Sequence, residues 1–358
     1  MSGEPGKRRA PGRVPFDATV TPLVGTPAPD KPHDEPTAGE VLHRVLARSA
    51  RTFLLNDAGI VPGVGRGEVR AASGTDGAGP VGTTGDHPSV AGTIVTLGGA
   101  PRHATEMERI RQSRVACRRI RSNLRTFRLL VEPVWSTSLR AELAWYADCL
   151  GESRDLHVLR DAVVLHGPLL VDEDDLRAVV EVIDGAIGAA EVEVDHARES
   201  DRYSRLIGQT LLLWDGPLLT ANAGQPAEDM LPTLLERSWR DVRGAARTAR
   251  KQTTDEHLHK LRIRVKGLRY GCETTAVVEG GPARKTAKAA ERLQRRLGDL
   301  HDAGLSVAWL ADLAVGHPDL ADAGERLAVV LRAQATQARK GWKDEYRELE
   351  RRWRRWRG

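Results

Sequence analysis

Two stretches of this chain repeat each other, and each has the periodicity of a helix with one apolar and one basic face. Arg111-Gln112-Ser113-Arg114-Val115-Ala116-Cys117-Arg118-Arg119-Ile120-Arg121 aligns with His259-Lys260-Leu261-Arg262-Ile263-Arg264-Val265-Lys266-Gly267-Leu268-Arg269 at an offset of 148 residues. In both copies the basic positions fall at 0, +3, +7 and +10. At about 100° per residue, Arg111, Arg114, Arg118, Arg121 and Arg125 share one narrow sector, as do His259, Arg262, Lys266 and Arg269. Beside each sector runs an apolar stripe: Ile110, Cys117, Ile120, Leu124 and Phe127 in the first copy, Leu258, Leu261, Val265 and Leu268 in the second. A second echo, Leu150-Gly151-Glu152-Ser153-Arg154-Asp155 against Leu297-Gly298-Asp299-Leu300-His301-Asp302, lies downstream at an offset of 147. Two pairs of similar segments at nearly equal offsets imply a duplicated unit. The basic stripes must then flank a shared core.

The rest of the chain supports an all-α fold. Helical patterns run near 105–131, 136–150, 153–166, 172–200, 201–214, 228–252, 255–279, 283–300, 302–315 and 318–356, with breaks at Pro133, Gly167-Pro168, Gly216-Pro217, Gly280-Gly281-Pro282 and His317-Pro318. Period-2 alternation is nearly absent, so a helical bundle architecture follows. Residues 1–37 are rich in Pro, Gly and charge without hydrophobic periodicity and are expected to be a disordered leader. Residues 59–103 are dense in Gly, Pro, Thr and Ser and are expected to be a flexible insertion. The helical chain divides into 38–227 and 228–358. Cys117, Cys149 and Cys272 are odd in number and unpaired in spacing, which reads as reduced core thiols rather than a metal or redox site. No signal-like h-region and no run of ~18 apolar residues occurs, so a cytoplasmic protein without a membrane partner is expected.

A basic helical stripe often marks nothing more than a solvated face. Here, however, like charges stack at i, i+3 and i+4 with no acid interleaved on the sector, each pair costing about a few tenths of a kcal/mol. Repetition of that arrangement argues for an external anion as counter-charge. Further candidates for the same site are Arg119, Tyr270 and His301, Arg44, Arg48 and Arg51 on the first helix, Arg240 and Arg247 before the second copy, and Lys285, Lys288, Arg292 and Arg295 after it. Asp155 and Asp302 read either as orienting partners for Arg154 and His301 or as helix-terminal capping groups.

The two basic motifs, with Arg154-Asp155-Leu156-His157 and Leu297-Gly298-Asp299-Leu300-His301-Asp302, resemble the CHAD domain, an α-helical family, over roughly Ala38 to Trp356. The first motif is similar to the family pattern H-x-x-R-V-x-x-R-R-x-R, with Arg111 standing at its histidine; the second keeps that histidine as His259. The resemblance implies two helical bundles related by a pseudo-twofold, forming one domain whose basic helices line a central channel for inorganic polyphosphate. It also implies association with polyphosphate granules.

Chemistry agrees with that ligand class. A linear phosphate chain offers no base or sugar, so charge, geometry and phosphate hydrogen bonding must carry recognition. Arginine forks two bonds to phosphate oxygens and stays charged, which makes Arg114, Arg118, Arg262 and Arg269 the anchors, with Lys266 as a point charge and His259 gaining charge toward pH ~6.5. A nucleic-acid binder, RNA above all, is the first rival, yet aromatics make up only 4% of the chain. A phosphate-chemistry enzyme is the second. Relatives of this family can carry a triphosphate-processing CYTH domain, but no E-x-E-x-K strand, P-loop or clustered carboxylates occur here. Non-enzymatic binding, with no cofactor and no metal, is the expectation.

Overall fold

The computed structural model describes residues 35–58 and 102–358. The leader and the insertion lie outside them except at their edges. Nine α-helices occur among the described residues: α1 Ala38–Phe53, α2 Arg102–Thr126, α3 Pro133–His166, α4 Glu173–Glu199, α5 Asp201–Asp215, α6 Ala227–Lys251, α7 Asp255–Glu279, α8 Gly281–Gly316 and α9 Ala321–Arg357. No strand is formed among these residues beyond the isolated bridges Thr37 to Pro226 and Val131 to Leu219. The fold is all-α.

Local signals set most helix starts. Thr37 and Glu40 close a capping box on α1. Asp172, Ser200 and Thr254 each accept a backbone N–H at the first turn of α4, α5 and α7. The structure departs from the sequence expectation at two places. The patterns expected to break at Gly151 and near His301 run on as single long helices, α3 and α8. Leu150, Ser153 and Leu156, like Leu297, Leu300 and Ala303, stay on one buried face across these points, so tertiary burial holds the helix through them.

The apolar stripes are buried as expected. Cys117, Ile120 and Leu124 on α2, Phe127 just after it, and Leu261, Val265 and Leu268 on α7, have no exposed surface. All three cysteines are free thiols, with Cys117 and Cys272 buried. One apolar cluster joins α1, α2, the first half of α3 and α5 to α6, α7, the first half of α8 and the end of α9. A second joins the far half of α3 and α4 to α8 and α9. Both clusters therefore span the 227/228 boundary.

Two crossings place the site. At the first, α2 meets α7: the Thr274 hydroxyl donates to Asn123 Oδ1 at 2.9 Å, both residues buried. Gly271 permits this approach, because a Cβ there would lie 2.3 Å from Leu235 Cδ2 and 3.2 Å from Thr126 Cγ2. At the second, α3 meets α8. The basic C-terminal segment of α9 is tied down by Trp353, which stacks on Trp239 with centroids 5.1 Å apart.

Candidate functional site

The α2/α7 crossing leaves a cleft of about 360 Å³ whose walls come from four helices. From α2 and the turn after it come Arg118, Arg121, Arg125 and Arg128; α7 supplies Arg264 and Lys266, α3 supplies Arg140, and α6 supplies Arg237 and Asp241. Eight cations thus face one carboxylate, and that carboxylate lies 3.5 Å from Arg264. Arg118, Arg121, Arg125 and Lys266 have no ion pair or hydrogen bond among the described residues. Arg118 also keeps a buried Nε without a partner.

Like charges at such density perturb one another. Burial first, then the Arg262 and Arg118 guanidiniums, push the Lys266 ammonium down to about 7. Burial and the neighbouring Arg264, Arg237 and Arg128 lower Arg125. Arg140 is lowered by burial and by Arg125, Arg121 and Arg128. Each of these groups would gain from an added anion.

The inner members of the duplicated stripe behave differently. Arg114 donates to the Gly151 carbonyl at 3.1 Å and lies 3.6 Å from Asp155. Arg262 lies 3.9 Å from Asp302. Between them Arg154 donates to both oxygens of Asp302, at 3.0 and 2.8 Å, and to Asp155 at 2.9 Å. Although burial opposes their charged forms, this pairing holds Arg154 above and Asp302 below their ordinary values. Asp155 and Asp302 sit in mid-helix, so the capping reading fails; they orient arginines, and Asp302 serves Arg154.

Other sequence candidates lie elsewhere. Arg111 is 56% exposed and grips Glu108 at 2.6 Å, an acid one turn back that relieves the stripe. Arg269 is bound by Glu273 at 2.7 Å and Glu291 at 2.9 Å; Arg119 reaches Glu273 at 3.1 Å. These two guanidiniums flank the buried Tyr270 ring at the cleft border, 5.6 and 5.4 Å from its centroid. Four of the nine stripe residues therefore have internal counter-charges: Glu273 lies on the second stripe itself, at the position that Arg125 holds in the first, and the other acids reach the stripes from a neighbouring turn or from other helices. His259 Nδ1 lies 3.3 Å from His301 Nδ1, away from the cleft lining. Burial together with Arg262 lowers both rings, His301 to about 4, so the charging of His259 that the sequence placed near pH 6.5 is displaced to lower pH.

Arg48 and Arg51 are exposed on α1, Arg247 on α6, and Lys285, Lys288 and Arg295 on α8, none in the cleft. Arg44 is buried on α1, Arg292 pairs with Glu345, and Arg240 lines a separate recess beside Trp239 and Trp353. Sequence reasoning missed Arg128, Arg140, Arg237 and Arg264. Arg264 stood inside the quoted repeat, off the main sector, and Arg128 lies one turn past Arg125; Arg140 and Arg237 carried no local signal.

No helix among the described residues is long and apolar enough to cross a membrane. In sequence, the chain is 31% identical over 230 residues to uncharacterized protein Rv2226 of Mycobacterium tuberculosis, and equally to uncharacterized protein MT2285 of another strain; the match covers 59% of this chain. It spans 42% of the length of each relative. In fold, the chain is similar to PptA from Streptomyces chartreusis, with TM-score 0.60 and 19% identity over 87% of this chain and 99% of the other. It is also similar to the CHAD domain of the plant Ricinus communis, with TM-score 0.63 and 19% identity over 92% of this chain and 97% of that one. The CHAD domain pattern itself matches residues 99–311, which hold both basic helices and both Asp-bearing segments. The chain belongs to the CHAD domain family.

Proposed function

We propose that the cleft binds inorganic polyphosphate and holds it without chemical turnover. One observation carries this reading: four cations of the duplicated stripe, Arg118, Arg121, Arg125 and Lys266, converge without internal counter-charge on a cleft where Arg128, Arg140, Arg237 and Arg264 join them. A flexible chain of phosphates can present an oxygen to each guanidinium in turn, and the charge-assisted bonds so formed relieve the repulsion among them. The cleft also favours polyphosphate over RNA. Tyr270, its aromatic residue, is only 4% exposed and already flanked by Arg119 and Arg269, which leaves little ring face for a base. In the cell this binding corresponds to a cytoplasmic protein that associates with polyphosphate granules.

Titration of the protein with long-chain polyphosphate, short-chain polyphosphate, tRNA and duplex DNA at near-physiological salt tests the ligand class. Long-chain polyphosphate is expected to bind tightest under screening that weakens loose charge attraction. Equal affinity for tRNA would sink the assignment. Phosphate release from polyphosphate or ATP with added divalent metal would overturn the non-enzymatic part.

A further inference from the structure

Lys266 stands apart from the other cations of the duplicated stripe. It occupies the position that Arg118 holds in the first copy, at the same offset of 148, and it is the only lysine among the nine stripe residues. A guanidinium stays charged wherever it is placed, whereas a half-buried ammonium can release its proton and become a nucleophile.

Its surroundings favour that release. Half-buried on α7, Lys266 has no ion pair or hydrogen bond among the described residues. Arg114 and Arg118 act on it from α2 and Arg262 from its own helix, while Asp302 on α8, the acid that acts on it, is already held by two hydrogen bonds from Arg154. With its ammonium pushed down to about 7, most of Lys266 is free amine at about pH 7.4, against about 0.1% of an exposed lysine. Lower basicity costs some intrinsic nucleophilicity, but less than the free fraction gains.

The cleft supplies the other half of a reactive site. Helices α2 and α7 meet at Ser122 and Gly267, where a Cβ on Gly267 would lie 3.8 Å from Ser122 Oγ. Arg121 and Lys266, each one residue before this contact, enter the cleft from the two facing helices, with Arg118 and Arg125 one turn to either side of Arg121. A small electrophile that carries a phosphate therefore finds guanidiniums for the phosphate and a free amine for its carbon.

We infer that Lys266 is a modification site for acyl phosphates, whose phosphoryl group docks on Arg118, Arg121 and Arg125 while the amine attacks the acyl carbon. A bond forms between Nζ and that carbon, and the bond from the carbon to the bridging oxygen breaks. Inorganic phosphate leaves with the electron pair, and the proton shed by the amine passes to it or to water. A docked phosphate draws the amine back toward its charged form, yet a rise of about two units still leaves the free fraction more than about tenfold above that of an exposed lysine. The product is a neutral amide in place of a cation. Granted that the cleft takes polyphosphate, this modification weakens its hold.

The test treats the full chain with acetyl phosphate and, in parallel, with uncharged N-hydroxysuccinimidyl acetate, and follows each lysine by peptide mass spectrometry. Acetyl phosphate should acetylate Lys266 at least about tenfold faster than the exposed Lys260, Lys285 and Lys288. Pyrophosphate should protect Lys266 and leave those three unchanged. R121Q should slow the reaction of Lys266 with acetyl phosphate about fivefold and leave that with the uncharged reagent within about twofold, which separates docking from nucleophilicity. Acetylation of Lys266 no faster than of the exposed lysines, or no protection by pyrophosphate, would overturn the site. Folded K266Q, a neutral stand-in for the amide, should bind polyphosphate about threefold or more weakly; unchanged affinity would overturn the effect on binding alone. Selective acetylation in a protein that binds no polyphosphate would overturn the ligand assignment and leave Lys266 as the modification site.

Discussion

Arg154 and Asp302 form a two-pronged ion pair that fastens α3 to α8 across the centre of the molecule, with hydrogen bonds of 3.0 and 2.8 Å. Their side chains are 29% and 19% exposed, so much of the charge is shielded from water. Removing one partner strands the other, and a buried pair broken in this way costs about 3–5 kcal/mol, less where some solvent remains. D302A is expected to lose about 2–4 kcal/mol in urea unfolding, and D302N less, because the amide still accepts one bond. Equal stability of D302A and wild type would contradict the structural role of this ion pair.

Asp57, unlike Asp302, is a fully buried acid held by side chains. Its carboxylate has no exposed surface, accepts the Tyr146 and Tyr203 hydroxyls at 2.6 and 2.5 Å, and lies 3.3 Å from Arg198. Burial and this carboxylate push both phenols far up, so they remain donors at every working pH. Y203F deletes one donor to a buried charge and should cost about 1–3 kcal/mol by chemical denaturation. D57A, which leaves two buried hydroxyls without their acceptor and takes a carboxylate from Arg198, should cost more than Y203F.

The Asn123 to Thr274 bond joins the two copies of the repeat inside the core. N123A and T274V should each lose about 1–3 kcal/mol by leaving the partner's polar atom unmatched. The double variant should lose less than the sum of the two. A double-mutant cycle with no coupling would show that the bond contributes nothing to the α2/α7 crossing.

Lys266 is expected to make the proposed binding sensitive to pH. With its ammonium pushed down to about 7, the unliganded lysine sheds its charge as pH rises through neutrality, whereas an anion in the cleft stabilises the charged form. Polyphosphate affinity should therefore fall between pH 6 and 8 and be accompanied by proton uptake, while K266R should show a flatter profile. Stability runs the other way. Between about 7 and the ordinary lysine value of 10.5 the unfolded chain holds the extra proton, so this group contributes a stability that rises with pH across that window. K266M should accordingly raise the melting temperature more at pH 6 than at pH 9.

By itself, the sequence determined the helical class and the two amphipathic basic helices on which the proposed ligand chemistry rests. Each of these rests on spacing along one helix, where 3.6-residue periodicity brings Arg114, Arg118 and Arg121 to one face whatever surrounds them. Even the Arg154 ion pairs left a trace, since Asp155 and Asp302 recur in the duplicated echo. Which arginines remain available to a ligand was decided only by tertiary structure. Charge neutralisation depends on groups that touch in space, and Asp155, Asp302, Glu291 and the distant Arg140 and Arg237 reach the basic helices from α3, α6 and α8. Packing gave Arg114, Arg262 and Arg269 internal partners, left the half-buried Lys266 without one, and turned two similar stripes into one cleft walled by four helices.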